Sequence, residues 1–174
     1  MNIALCDIII VVVILGGRIM AMEIERKYLV KNDQYKSSAD SAVFRQGYLS
    51  VEAERTVRVR SYNGKGFLTI KGKTNSWSRE EYEYDIPIQD AERMLDNLCI
   101  PPIIEKVRYF LTYADCKWEV DEFLGVNEGL VVAEIELESE QQIFEKPEWI
   151  GTEVTSDSRY FNSNLVNNPY KNWK

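Results

Sequence analysis

The sequence predicts an α+β domain: about eight antiparallel strands closed into a barrel, with helices flanking it. Three observations predict this. Charged side chains recur two residues apart in six separate runs rich in β-formers, which is the period of a strand. Asn63-Gly64-Lys65-Gly66 lies between two of those runs and reads as a hairpin turn. No low-complexity stretch or linker divides the chain, and the one clear helical pattern falls between strands. If each strand projects its charges from one face, closure gives a polar interior, a tunnel suited to a polyanion and its metal ions.

The first of these strands spans Met22 to Val30 and alternates, with Glu23, Glu25 and Lys27 on one face and Ile24, Arg26 and Tyr28 on the other. Taken alone, such a row also describes an ordinary solvated strand face. Recurrence separates the two readings. Lys31 to Asp40 is polar, a loop or short helix, and Ala42 to Leu49 alternates as a second strand. Thr56 to Tyr62 carries Arg58 and Arg60, and Phe67 to Lys71 follows across the hairpin turn, with Lys73 just beyond it. Arg79 to Ile88 carries Glu81 and Glu83 and stops at Pro87.

Gln89 to Leu98 has helical spacing, with Ala91, Met94, Leu95 and Leu98 on one side and Pro101-Pro102 as the expected stop. Ile103 to Phe110 then puts Lys106 and Arg108 on one strand face, and Tyr113 to Cys116 turns the chain into Lys117 to Phe123. Leu130 to Leu137 is an apolar run holding Glu134 and Glu136, charges that are costly there unless paired or bound. A helix is expected around Glu138 to Phe144, followed by a tail through Arg159 and Tyr160.

Composition narrows the chemistry. At 174 residues the chain is one domain with room for a core. A net charge of −7 argues against nucleic acid as a partner, so any anion site must be a local concentration of Arg and Lys. Histidine is absent, which removes His-based triads and His zinc sites. Any metal would therefore be held by oxygen, which points to magnesium or manganese. Cys6, Cys99 and Cys116 show neither ligand spacing nor a disulfide framework, and a cytoplasmic location is expected.

Residues 1–21 do not match the rest. Ile8 to Leu15 is too short to span a bilayer comfortably, and Asp7 is the only charged side chain before Arg18, unlike a signal peptide. The favoured reading is a start at Met20 or Met22, with an N-terminal membrane anchor as the alternative; no stable membrane association is expected. Residues 22–174 form the single domain.

In order, these motifs resemble the CYTH superfamily, the triphosphate tunnel metalloenzymes, and most closely its short bacterial members that hydrolyse inorganic triphosphate. The resemblance rests on Glu23, Glu25 and Lys27; Gln46-Gly47-Tyr48-Leu49; Arg58 and Arg60; Thr69-Ile70-Lys71-Gly72; Glu105 to Arg108; Trp118 to Asp121; and Glu134 with Glu136. It implies an eight-stranded tunnel that binds a triphosphate and a divalent metal, magnesium or manganese. It further implies metal binding by Glu23, Glu25, Glu134 and Glu136. Lys27, Arg58, Arg60, Lys71, Lys106, Arg108 and Arg159 would grip the phosphates. Glu25, Lys27 and Lys106 are then the expected catalytic residues.

Other readings stay open at this stage. Glu134 and Glu136 could be structural partners of Arg58 and Arg60, Glu81 and Glu83 could line the tunnel or merely balance Lys71, and Lys73 and Arg79 read as surface charges. Adenylate cyclase, thiamine triphosphatase and a polyphosphate-binding module without turnover use the same charged strands.

Overall fold

A computed structural model describes residues 12–15, 18–21, 24–52, 54–73, 81–139 and 141–173 of the chain. Strands β1 (Val12–Leu15) and β2 (Arg18–Ala21) pair antiparallel in a sheet of their own. The rest of the domain is organised by one nine-stranded sheet. It comprises β3 (Ile24–Val30), β4 (Asp40–Ser50), β5 (Arg55–Tyr62), β6 (Lys65–Gly72), β7 (Glu81–Ile86), β8 (Ile100–Tyr113), β9 (Cys116–Phe123), β10 (Val131–Leu137) and β11 (Ile150–Glu153). Their order across the sheet is β11-β3-β10-β9-β8-β4-β5-β6-β7, every described pairing antiparallel.

This corrects the expected eight-stranded closed barrel. The sheet has nine strands, and no ladder among the described residues joins its edges, β7 and β11. The short β11 was not expected, and it takes the edge of β3 that closure would have needed. Its ladder shifts register between Ile150 and Glu153, as edge strands often do.

Two further expectations are corrected. Pro101 and Pro102 lie inside β8 rather than ending the preceding helix. There β8 is flanked by β4 alone, across a register shift between Gln46 and Tyr48, so two missing N–H groups cost little. Helix α1 (Ile88–Asn97) ends before them, with the Leu98 and Cys99 N–H groups donating to the Met94 carbonyl. The helix expected around Glu138 to Phe144 is not formed among the described residues. Instead the Glu138 N–H donates to the Gln142 side chain at 2.6 Å, and Phe144 reaches inward to pack on Tyr28 and Trp118. The hairpin turn is formed as expected, with Asn63 and Gly64 both at positive φ between β5 and β6.

Alternation gives the sheet two unlike faces. On the outer face Tyr28, Trp118, Val120, Ala133 and Ile135 are buried with Trp149 and Tyr35, the latter from the turn at Asp33–Ser38. Truncating Trp118 to alanine there would cost about 3–5 kcal/mol. Helix α1 covers the outer face of β5 and β6 through Ala91 and Leu95, and a Cβ on Gly66 would lie 2.7 Å from that of Ala91. On the inner face, one end is apolar: Tyr48, Ile104, Phe123 and Val132 pack against Leu165 and Val166 of α2 (Asn162–Asn167). Beyond that packed end, the inner face carries the charges.

Candidate functional site

The inner face lines a cavity of about 550 Å³. Its wall holds six basic side chains, Lys27, Arg58, Arg60, Lys71, Lys106 and Arg108, and six acidic ones, Glu25, Glu81, Glu83, Glu119, Glu134 and Glu136. Strand alternation alone puts them there. Lys27 faces Glu134 across the β3–β10 ladder, Glu25 faces Glu136, Arg58 faces Thr69, and Thr69 faces Glu83.

The charges fall into three groups. In the first, the Lys27 ammonium donates to Glu25 at 2.6 Å and also to Glu134. Burial disfavours the charge on Lys27, but Glu134 and Glu25 outweigh it and raise its pKa. Burial and the negative charge of Glu134 push the Glu25 carboxyl up to about 7. Burial opposes ionisation of Glu134 as well, yet Lys27, Arg108 and Lys106 hold its pKa well below the usual carboxylate range. This divergence gives two neighbouring carboxyls different protonation behaviour near neutral pH.

The second group centres on Asp121, which is fully buried. It accepts from Lys106 at 2.5 Å and from Arg108 Nε and Nη2, each at 2.6 Å. Arg108 also donates to Glu134 at 3.1 Å and to Glu119. Burial and the neighbouring Arg108 push Lys106 down to about 8 despite Asp121. Burial pushes Glu119 up.

The third group is looser. Arg58 and Arg60 share Glu83 at 3.4 and 3.1 Å, and the Thr69 hydroxyl donates to the same carboxylate at 2.8 Å. The Nε atoms of both arginines are buried without a partner among the described residues. Lys71 pairs with Glu81 at 2.9 Å. Burial and Arg58 lower the pKa of Arg60.

The structure therefore brings together Glu25, Lys27, Arg58, Arg60, Lys71, Lys106, Arg108, Glu134 and Glu136 around one cavity. Glu81 and Glu83 join them there. Glu23 lies outside the described residues, as does Arg79. Arg159 is not brought to the cavity wall; it is exposed and bound to Asp157 at 2.6 Å. Arg58 and Arg60 pair with Glu83, whereas Glu134 forms its buried ion pairs with Lys27 and Arg108 rather than with the two arginines of β5. Lys73 is on the surface beside Glu54. Sequence reasoning gave no role to Glu119 and Asp121, although the alternation Trp118-Glu119-Val120-Asp121 puts both carboxylates on the charged face.

The donor set suits a hard cation. Glu25, Glu134 and Glu136 offer only oxygen, and burial together with the neighbouring Glu134 raises the pKa of Glu25, an arrangement that a divalent ion would relieve. As they stand, no three such carboxylates among the described residues converge on one point, and the Lys27 ammonium bridges Glu25 and Glu134.

Among the described residues no helix is long and apolar enough to cross a membrane. The family profile described as the CYTH domain matches residues 21–170. A protein of Acetivibrio thermocellus named inorganic triphosphatase is 56% identical over 155 residues, covering 89% of this chain and 99% of its own length. One from Nitrosomonas europaea with the same name is 36% identical over 148 residues, covering 83% of this chain and 96% of itself. A crystal structure of an inorganic triphosphatase superposes with a TM-score of 0.65 at 33% identity, over 84% of this chain and 95% of that one.

Proposed function

Because the chain belongs to the CYTH domain family, we propose that it is a divalent-metal-dependent hydrolase that cleaves inorganic triphosphate. One observation carries the reading: a single cavity in which six cations and six carboxylates face each other from the strands β3 to β10. The relatives named inorganic triphosphatase support the substrate.

Lys27, Arg58, Arg60, Lys71, Lys106 and Arg108 hold the phosphate oxygens. Arginine does so in bidentate fashion, and the unpartnered Nε atoms of Arg58 and Arg60 are suited to that use. Glu25, Glu134 and Glu136 would hold magnesium or manganese, with Glu23, two residues before Glu25 in the sequence, the further candidate. The ion, when bound, supplies charge neutralisation on the phosphate oxygens. Glu25, whose carboxyl burial and Glu134 push up, would orient a water and take its proton as that water attacks a terminal phosphorus. Lys27 and Lys106 offset the negative charge on the reacting phosphoryl group, so the catalysis is mostly positioning and electrostatics.

The test is phosphate release with magnesium or manganese from inorganic triphosphate, ATP and thiamine triphosphate, with Glu25→Gln alongside. Release from inorganic triphosphate that vanishes in the variant is the expected result. Cyclic AMP from ATP with no phosphate release would overturn it in favour of a cyclase. Tight polyphosphate binding with no turnover of any substrate would make the chain a binding module.

A further inference from the structure

One wall of the cavity is chemically unlike the others. Every charged lining residue comes from β3 to β10, whereas the chain after β11 contributes Thr155, Phe161, Asn162 and Ser163, all neutral. That wall is held in place. Leu165 and Val166 are buried in the inner core, the Asn164 amide donates to the Ser158 carbonyl at 2.7 Å, and Thr155 Oγ1 accepts the Lys27 N–H at 3.0 Å. Within it, Asn162 Oδ1 is shut off from solvent and has no donor among the described residues. Asn162 lines the cavity all the same, and its amide nitrogen is the atom of that group that can donate to an anion. Beside it Phe161 is 39% exposed, an apolar ring facing a space otherwise bounded mainly by charge.

We infer that Phe161, Asn162 and Ser163 decide which triphosphates the cavity accepts, admitting a bare terminal phosphate and disfavouring one esterified to a nucleoside. This rests on the triphosphatase reading above. The charged strands cannot make the distinction, because their arginines and lysines bind non-bridging oxygens that both kinds of triphosphate possess. A neutral wall can. The Asn162 amide and the Ser163 hydroxyl each offer both donor and acceptor. Among the described residues the amide oxygen has no donor that would fix it, so the group can turn its Nδ2 to a phosphate oxygen. Esterification caps one terminal oxygen with carbon, which removes its negative charge, weakens it as an acceptor for the amide and brings a bulky sugar against Phe161.

The experiment compares kcat/KM for inorganic triphosphate and for ATP in the wild type, Asn162→Ala, Asn162→Gln and Phe161→Ala. Dissociation constants for both ligands are measured calorimetrically in parallel. Asn162→Ala should reduce the preference for inorganic triphosphate about tenfold, the consequence of losing one hydrogen bond to a charged group. Asn162→Gln should recover part of it, and Phe161→Ala should improve ATP several-fold. Equal factors on both ligands, in rate and in binding, in Asn162→Ala and Phe161→Ala would overturn the inference. A wild type that binds but does not hydrolyse would remove the enzyme reading while the binding ratios still decide this one. Binding of neither ligand would remove both.

Discussion

Two pairs of cations on the same wall are built in opposite ways. Lys106 and Arg108 are buried and converge on Asp121, which has no exposed surface at all. Arg58 and Arg60 have the same two-residue spacing on β5 but share Glu83, whose side chain is 36% exposed; Arg58 also donates to the Thr69 hydroxyl at 3.1 Å, and both keep an unpartnered Nε. The first pair is prearranged, with much of its hydrogen-bonding capacity spent inside the protein. The second is held lightly and remains available. A site that must seize a dense anion and also let its products go has use for both.

The largest effect that would break this comparison is expected at Asp121. Asp121→Ala leaves two buried cations without their shared carboxylate and should cost about 3–5 kcal/mol in urea unfolding, with activity lost alongside. A cost below about 1 kcal/mol would mean that Lys106 and Arg108 are not prearranged by it. Arg60→Ala should act mainly on binding: KM for triphosphate rises about 10- to 100-fold, while stability falls by no more than about 1–2 kcal/mol, since the side chain also lies over Phe44, Tyr62 and Phe67. If the unfolding midpoint fell as far as in Asp121→Ala, the two pairs would be equivalent.

A pH profile sharpens the contrast. Lys106 titrates at about 8 in the folded chain, below its unfolded value of 10.5. Between those values the unfolded chain binds more protons, so this group makes stability rise with pH through that window. Activity should move the other way, falling about tenfold by pH 9 as the positive charge is lost. Lys106→Arg should flatten that limb, and an unchanged limb would clear Lys106 of the role. The smallest effect is expected for Glu83→Gln. It should change stability by less than about 1 kcal/mol and lower KM no more than a few-fold, since it frees Arg58 and Arg60 from a partly exposed partner.

Most of the charged wall was legible because β-strand alternation is a local rule. Once Glu25, Arg58, Lys106 and Glu134 are in strands, their neighbours two residues away must share a face. Closure was not legible, because it depends on which strand takes the free edge of β3, and four residues, Ile150–Glu153, settle that. The helix expected near Glu138 failed for a related reason. The Phe144 ring packs on Tyr28 and Trp118 instead, and the Glu138 N–H donates to the Gln142 side chain where a first helical turn would stand. Asp121 lay within the strand expected over Lys117 to Phe123, yet its grip on two cations of the neighbouring β8 is a tertiary fact. Asn162 and Phe161 carried no signal, since short polar tails are common and only packing brings this one to the cavity.

The even match of six cations with six carboxylates has a consequence for how the cavity fills. A triphosphate entering by itself would leave the cavity with a surplus of negative charge in a confined, weakly screened space. The surplus disappears only if cations enter with it, or if carboxyls such as Glu25 take up protons. Anion and cation must therefore each raise the affinity of the other by the same factor, a reciprocity required by thermodynamics. Where a divalent ion enters with the anion, the grip on substrate would become a property of the surrounding solution, tightening as free divalent ion rises and slackening when it is withdrawn.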